Sequence, residues 1–567
     1  MNKIGLRLSS TIAIMALFGL VYAIVFTIGI LIGWPLYIIV GLTIAIVFFQ
    51  YLISPWLIGL IYNIEWIPYE QFKSQFPHLI EAVDKVVAIR GIKTPRLGII
   101  RDGNPNAFTY GWTKNSARIV ITTGILDYLN EEEQKAVVSH ELGHVVHNDF
   151  ILMTIVFAIP LVLLTIARWS YYASWWSRGG SNNKEAAVMK LALLVISVLS
   201  YIAYFIGYLI SLIVSRIREY YADEHAAELT ENPNALSSAL VKIAYGLLID
   251  AQYEEREKSK VRALRGLGIF DPRAAVSFAA TTMGGSGRYS KNSIQAAAGW
   301  DLFNPWAKYY QIFSTHPLPA KRIMKLNQQC ENYGILPEID FSNARKIKEE
   351  QAGKSMLDEF MVDVSVKFLP GIIFIALLAL TIIWIFGSVG LIEILINTFT
   401  LQNLLLLWAI GFYLIAFGFI IKTKFKYKSG FEPKSIVELI TNIKVSPIRT
   451  VPAVVEGRLV GRGIPGFFLS EDLYLQDNTG LMYVDYRFGF FLFDWFFALS
   501  KVRSLMGQRV RIKGWYRRGP GPYLQVDTIE TESGRRFRNY AKHMTYAWAI
   551  LAFIIGLVLF YVWYAII

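Results

Sequence analysis

His140-Glu141-Leu142-Gly143-His144 decides the reading of this chain, because it stands between a helix start and a membrane-length apolar run. Upstream, Asn130 can cap a helix and Glu133, three residues on, can complete a capping box. Downstream, Phe150–Ala167 contains no charged residue. On a helix, positions i and i+4 share a face, so both imidazoles can reach one ion. Glu141 follows the first histidine directly and can reach water at that ion, the spacing of a zinc-dependent hydrolase. The other reading is a pair of satisfied histidines on a surface helix. With only 7 histidines in 567 residues, a chance match is rare. His147, three residues past His144, does not extend the pattern and reads as a supporting or surface residue.

Composition agrees with a membrane setting. Hydrophobic residues make up 54% of the chain and charged ones 17%, against about 45–50% and about 25% in ordinary soluble proteins. A disordered chain and an ordinary soluble enzyme are excluded. The single cysteine, Cys330, excludes an internal disulfide framework and a cysteine-rich zinc module. A metal site must therefore draw on His, Asp and Glu. The net charge of +13 reads as positive-inside bias rather than as nucleic-acid binding.

Uncharged runs set the topology. Leu8–Ile64 is long enough for two spans, broken by Gly33-Trp34-Pro35. With no small-residue cleavage site and a second span following at once, the first reads as an anchor rather than a signal peptide. Phe150–Ala167 and Leu191–Ser215 read as spans three and four. Phe368–Ile421, with only Glu393, reads as two more, and Met544–Ile567 as a seventh. Lys and Arg collect in the large polar segments, which places these in the cytosol. The expected organisation is a hairpin of spans over 1–64, a first catalytic segment over 65–149, two spans over 150–215 and a second catalytic segment over 216–365. A span pair over 366–422, a β-domain over 423–542 and a terminal span over 543–567 complete it.

Topology also points to a third metal ligand. The helix carrying His140 enters the membrane near Phe150, and after two crossings the chain returns to the same face. Glu219 lies four residues past the second run and His144 six before the first, so the two have similar depth. Glu219 is the expected third ligand. The other reading is an exposed Glu219 paired with Arg216 or Arg218. Ala222, Ala226 and Ala227 would let another helix come close.

Four passages together resemble the HtpX-type membrane zinc metalloproteases, relatives of the CaaX prenyl proteases. They are Asn104-Pro105-Asn106-Ala107-Phe108 with Gly111-Trp112, the His140–His144 motif, Ser215-Arg216-x-Arg218-Glu219-x-x-Ala222-Asp223, and His316-Pro317-Leu318-Pro319-x-x-Arg322. The resemblance covers roughly 1–330. It implies a mainly α-helical, zincin-like (gluzincin) catalytic domain with one Zn2+ per chain on His140, His144 and Glu219, and Glu141 as base. It implies further that Asp223 buttresses the site, that Arg322 pairs with Asp223 or Glu219, and that His316 lies near the scissile carbonyl. The stretch Asn106, Ala107, Phe108 to Gly111 would be an edge along which an extended peptide docks. His316-Pro317 and Asn106 can also be read simply as turn residues. The implied activity is hydrolysis of peptide bonds in cytosolic segments of misfolded or damaged membrane proteins, with protein or peptide substrates and the lipid bilayer as partners. His225 departs from the family, standing where a small or variable residue is usual.

The region from 366 onward lies beyond the family plan. Ala453–Val460, Leu473–Gln476, Leu481–Tyr486, Arg509–Tyr516 and Tyr523–Ile529 alternate as strands do, which suggests a small OB-like barrel. Phe488–Phe497 is an aromatic cluster too short to span and reads as interfacial. Arg509, Arg511, Lys513, Arg517 and Arg518 beside Trp515, Tyr516 and Tyr523 could bind single-stranded nucleic acid, but contact with lipid headgroups is the favoured reading. The whole is therefore expected to be a polytopic α-helical membrane protein with a zincin-like domain and a C-terminal β-barrel. The rivals to a quality-control protease are a CaaX-type prenyl-protein protease and a non-catalytic adaptor acting through the β-domain.

Overall fold

The computed structural model describes residues 62–566 except 104, 177–183, 254–297, 352–354, 389–399, 463–472, 487–504 and 520, together with scattered residues between 48 and 59. The two spans expected between Leu8 and Ile64, Asn104 and the aromatic cluster Phe488–Phe497 therefore lie largely or wholly outside the described residues. The chain divides into two compact units, one chiefly Met1–Asp250 with Tyr309–Asp340, the other chiefly Val276–Lys308 with Phe341–Ile567. The stretch 216–365 is thus shared between them.

In the first unit, β1 (Glu65–Trp66), β2 (Arg96–Ile100), β3 (Ala107–Tyr110) and β4 (Arg118–Thr122) form one sheet in the order β1-β2-β4-β3. β2 and β4 run parallel, and β3 pairs antiparallel with β4. The interior strands are apolar on both faces: Leu97, Ile99, Ile119 and Ile121 are buried on one, Ile100 and Val120 on the other. α1 (Tyr69–Gln75) and α2 (Pro77–Arg90) precede β2. Proline opens α2, and Gly91, at φ +60°, closes it in the left-handed region. α3 (Thr123–Tyr128) leads to α4 (Glu131–Val146), whose start is the expected capping box, with Asn130 and Glu133 each accepting from the other's backbone N–H.

α5 (Asp149–Trp176) and α6 (Lys184–Thr230) form an antiparallel pair with Val156, Leu163, Ile196 and Val214 at its core. The Ser211 hydroxyl donates to the Val156 carbonyl at 2.7 Å. At its 47 residues α6 is about 70 Å long, far more than the roughly 30 Å of a bilayer core. Its last turns therefore carry Glu219 and Asp223 beyond the apolar stretch and against α4. There Gly143 meets Ala222: a Cβ on Gly143 would sit 2.9 Å from the Ala222 Cα. α7 (Pro233–Tyr253) and α8 (Pro319–Cys330) follow.

The second unit contains α9 (Ser342–Gln351), then α10 (Met356–Ser388) and α11 (Leu401–Lys426). α11 packs on α10 through Leu377, Ile415 and Ala416, and Ala552 of α13 (Ala541–Ile566) joins that core. Five described helices, α5, α6, α10, α11 and α13, are long and apolar enough to cross a membrane.

Between α11 and α13 lie β5 (Glu432–Pro433), α12 (Ile436–Ile440), β6 (Val451–Arg462), β7 (Leu473–Gln476), β8 (Leu481–Asp485), β9 (Arg509–Arg518), β10 (Pro522–Thr531) and β11 (Arg536–Arg538). β6, β7, β8, β10 and β9 close into a ring of five strands, and β9 returns to β6. Within this ring all neighbouring pairs are antiparallel except β8 with β10, while β5 adds to β6 in parallel outside it. Val455, Leu475, Met482, Ile512 and Leu524 fill the interior, and α12 adds Ile436 and Leu439. Gly514 permits closure, since a Cβ there would lie 2.4 Å from the Gln525 carbonyl oxygen. β5 and β11 are short additions that sequence alternation alone did not reveal.

Candidate active site

α4 presents His140 and His144 on one side, their ring centroids 4.9 Å apart. The ligand atoms of His140, Glu141 and His144 lie within 4.8 Å of one another, the metal-compatible cluster found among the described residues. Glu219 faces the same space from α6. Its Oε2 is 3.6 Å from His140 Nε2, and its Oε1 is 3.8 Å from His144 Nε2. Arg216 and Arg218, its sequence neighbours, point elsewhere: Arg216 donates to the Ser314 carbonyl, and Arg218 pairs with Asp149.

The imidazoles are held from behind. His140 Nδ1 lies 3.0 Å from Asp223 Oδ1, an ion-pair distance although not a well-aligned hydrogen bond. Arg322, fully buried on α8, donates to both Asp223 oxygens at 2.6 and 2.9 Å. It also reaches Glu219 Oε2 at 3.4 Å, so it engages both carboxylates offered to it by the sequence reading. His144 Nδ1 is 2.7 Å from Asp149 Oδ2. His316 joins the cluster, its Nε2 3.5 Å from Glu219 Oε1 and its Nδ1 2.9 Å from the Thr315 hydroxyl.

Electrostatics separate the two motif histidines. Burial pushes His140 down to about 4. Burial opposes charging of His144 too, but Asp149, Glu219 and Glu141 outweigh it and hold that ring up at about 9. Burial and the Arg322 charge push His316 down to about 3. Burial raises the Glu141 carboxyl above its ordinary value, against His144 and a hydrogen bond from Thr109.

Thr109 was not foreseen. Its hydroxyl donates to Glu141 Oε2 at 2.8 Å, tying the motif helix to β3. β3 is an edge: it pairs with β4, and no described strand takes its other side. Ala107 and Phe108 are buried, and Phe108 packs against Tyr62 and Tyr110. What β3 offers outward is therefore backbone and Thr109. Asn106 is tied to Thr122, whose N–H donates to its carbonyl at 2.9 Å. Gly111 passes so near the Ser116 carbonyl that a Cβ would lie 2.9 Å from it.

Asp149 was also missed. It sits next to Asn148, whose φ of 56° turns the chain sharply between α4 and α5 and brings the carboxylate back to His144. Asparagine tolerates that left-handed conformation better than most residues. His225 is buried rather than superficial, bonded through Nδ1 to the Ser139 carbonyl at 3.0 Å, and His147 packs against it and Tyr221.

The donor set fits a divalent zinc-type ion. Among the described residues, His140 Nε2 and Glu219 Oε2 are buried without a hydrogen-bond partner, Arg322 approaching Oε2 only to 3.4 Å, an arrangement that costs stability unless a cation takes both lone pairs. Two imidazole nitrogens and one carboxylate are the donors of open zinc sites, in which ligands about 2.0–2.1 Å from the ion stand about 3.4 Å apart.

The aromatic residues of β9 are not available to stack bases. Trp515 and Tyr516 are buried, and so are Arg517 and Arg518.

Comparison with known proteins matches residues 73–329 of this chain to Peptidase family M48. A "Protease HtpX homolog" of Methanothermobacter thermautotrophicus is 39% identical over 245 residues, 43% of this chain and 87% of that protein. One from Pyrococcus furiosus is 30% identical over 340 residues, 59% of this chain and 99% of the relative. Among solved structures, the crystal structure of S. mikatae Ste24p aligns at 15% identity over 57% of this chain and 67% of that one, with a TM-score of 0.32, too low to bear on fold or function.

Proposed function

Because this chain belongs to peptidase family M48, among the HtpX proteases, we propose that it is a zinc-dependent endopeptidase with His140, His144 and Glu219 as ligands and Glu141 as base. The family implies a metal, and proteins or peptides as substrates. The observation that carries the ligand set is the meeting of His140 Nε2, His144 Nε2 and Glu219, where His140 Nε2 and Glu219 Oε2 are buried without a hydrogen-bond partner among the described residues.

When bound, zinc supplies Lewis acidity to the scissile carbonyl and acidifies water. The remaining steps belong to the chain. Thr109 aims the Glu141 carboxylate, which takes the proton of the attacking water and delivers it to the leaving amine. Asp223 and Asp149 engage Nδ1 of the two imidazoles, leaving both Nε2 atoms for the ion. Arg322 neutralises Asp223. His316, beside Glu219, is placed to donate to the oxygen on which charge develops. The open side of β3 receives an extended peptide by backbone pairing, which gives affinity with little sequence preference.

The favoured substrates are cytosolic segments of misfolded or damaged membrane proteins, with the catalytic residues on the cytosolic face, as positive-inside bias suggests. The domain limits read from sequence are proposed with this function. So is an OB-like identity for the C-terminal barrel, supported by its strand order and its single parallel pair. The test is cleavage of casein by detergent-purified protein supplied with zinc, beside Glu141→Gln. Cleavage by the wild type alone is expected, and equal rates would remove Glu141 from the chemistry.

A further inference from the structure

The second unit gathers cations that the peptidase chemistry does not use. Lys367 of α10 and Lys422 of α11 flank the apolar run Phe368–Ile421, one just before it and one just after. The antiparallel helices bring them to one level, where Lys422 Nζ donates to the Lys367 carbonyl at 3.3 Å. Lys426 follows one turn later. Arg517 arrives from a different element, β9, and its Nη2 donates to the Lys426 carbonyl at 3.4 Å. Lys426 lies within electrostatic reach of the other three and of the Asp485 carboxylate, and Lys422 within reach of Lys367 and Arg517. Asp363, one turn before Lys367, is already engaged by Arg449 at 3.2 Å and by the Trp306 indole.

Positive-inside bias accounts for lysines at helix ends, but not for Arg517. That residue is 2% exposed, and among the described residues its Nε has no hydrogen-bond partner. A buried, incompletely paired guanidinium beside three half-buried lysines is costly unless an anion completes it. Aromatic faces hold the cations in place: Tyr427 lies 5.1 Å from the Arg517 guanidinium, and Trp306 4.6 Å from Lys367 Nζ.

We propose that Lys367, Lys422, Lys426 and Arg517 form a binding site for the headgroup phosphate of an anionic phospholipid. The class follows from position and charge. The site stands where two apolar helices emerge, the level at which lipid phosphates lie, and basic pockets between helix ends bind such groups. A zwitterionic headgroup would add another cation to a group of four. Arg517 supplies the planar donor fork that suits phosphate oxygens, and the lysines supply point charges. The proposal is independent of the peptidase reading.

The test uses the full chain in neutral detergent, titrated with dihexanoyl phosphatidylglycerol, dihexanoyl phosphatidylcholine or inorganic phosphate and read by native mass spectrometry. The wild type is expected to bind the anionic lipid at least about tenfold more tightly than the choline lipid, a difference of about 1.4 kcal/mol. Arg517→Gln should abolish the preference. Should Arg517→Gln fail to fold, Lys367→Gln with Lys422→Gln, at half-buried positions, provides the same test. Lys424→Gln with Lys428→Gln, at exposed neighbours, should retain the preference while removing equal charge. Equal binding of the two lipids, or equal loss in the exposed control, would overturn the site. Inorganic phosphate binding as tightly as the anionic lipid would overturn the lipid as occupant.

Discussion

His144 Nδ1 lies 2.7 Å from Asp149 Oδ2, although α4 ends and α5 begins between the two residues. The contact exists because Asn148 turns through the left-handed region. Asp149 in turn pairs with Arg218 on α6, so one carboxylate links the motif helix to the helix carrying Glu219. Replacing Asp149 with Asn should weaken zinc retention by about 10- to 100-fold, the usual cost of losing such an orienting partner. Chelator competition followed by metal analysis would measure this, and unchanged affinity would leave Asp149 a purely structural role.

Thr109→Val should move the acid side of the pH–rate profile upward. The Thr109 hydrogen bond favours the charged form of Glu141, whose carboxyl burial already raises. Losing that bond raises it further, so the base form is lost at a higher pH as the solution is acidified. A profile of kcat/KM against pH for both proteins decides the matter; coincident acid limbs would refute the coupling.

Gly143→Ala should destabilise the first unit. The new Cβ would meet the Ala222 Cα at 2.9 Å, and a helix backbone cannot yield as a flexible side chain can. Overpacking of this kind costs about 1–3 kcal/mol. A lowered Tm is expected, with zinc content falling because Glu219 shares α6 with Ala222.

Backbone pairing along β3 can be probed from the substrate side. A cleavable peptide carrying one N-methylated amide at the position facing β3 should lose a hydrogen bond worth about 1 kcal/mol, or about fivefold in kcat/KM. Methylation at the alternate positions should have little effect. Indifference to every methylation would place the peptide elsewhere.

Much of this protein follows from local rules that the sequence alone carries. His140 and His144 share a face because the helix repeats every 3.6 residues. The α4 start was legible in Asn130 and Glu133, and the five described apolar helices in uncharged runs long enough to cross a bilayer. Strands β6 to β10 were legible in alternation, whereas β5 and β11, two and three residues long, were too short to alternate.

Only tertiary structure decided what meets across those elements. Thr109 reaches Glu141 because β3 packs on α4, and Asp149 reaches His144 through one left-handed residue that sequence period cannot report. Arg517 and Trp515 read as exposed basic and aromatic residues, yet both are buried, since β9 leaves its alternating pattern after Lys513. Spacing along a chain sets which side chains share a face. Which faces then meet depends on the packing of distant segments, and that packing leaves no periodic trace in the sequence.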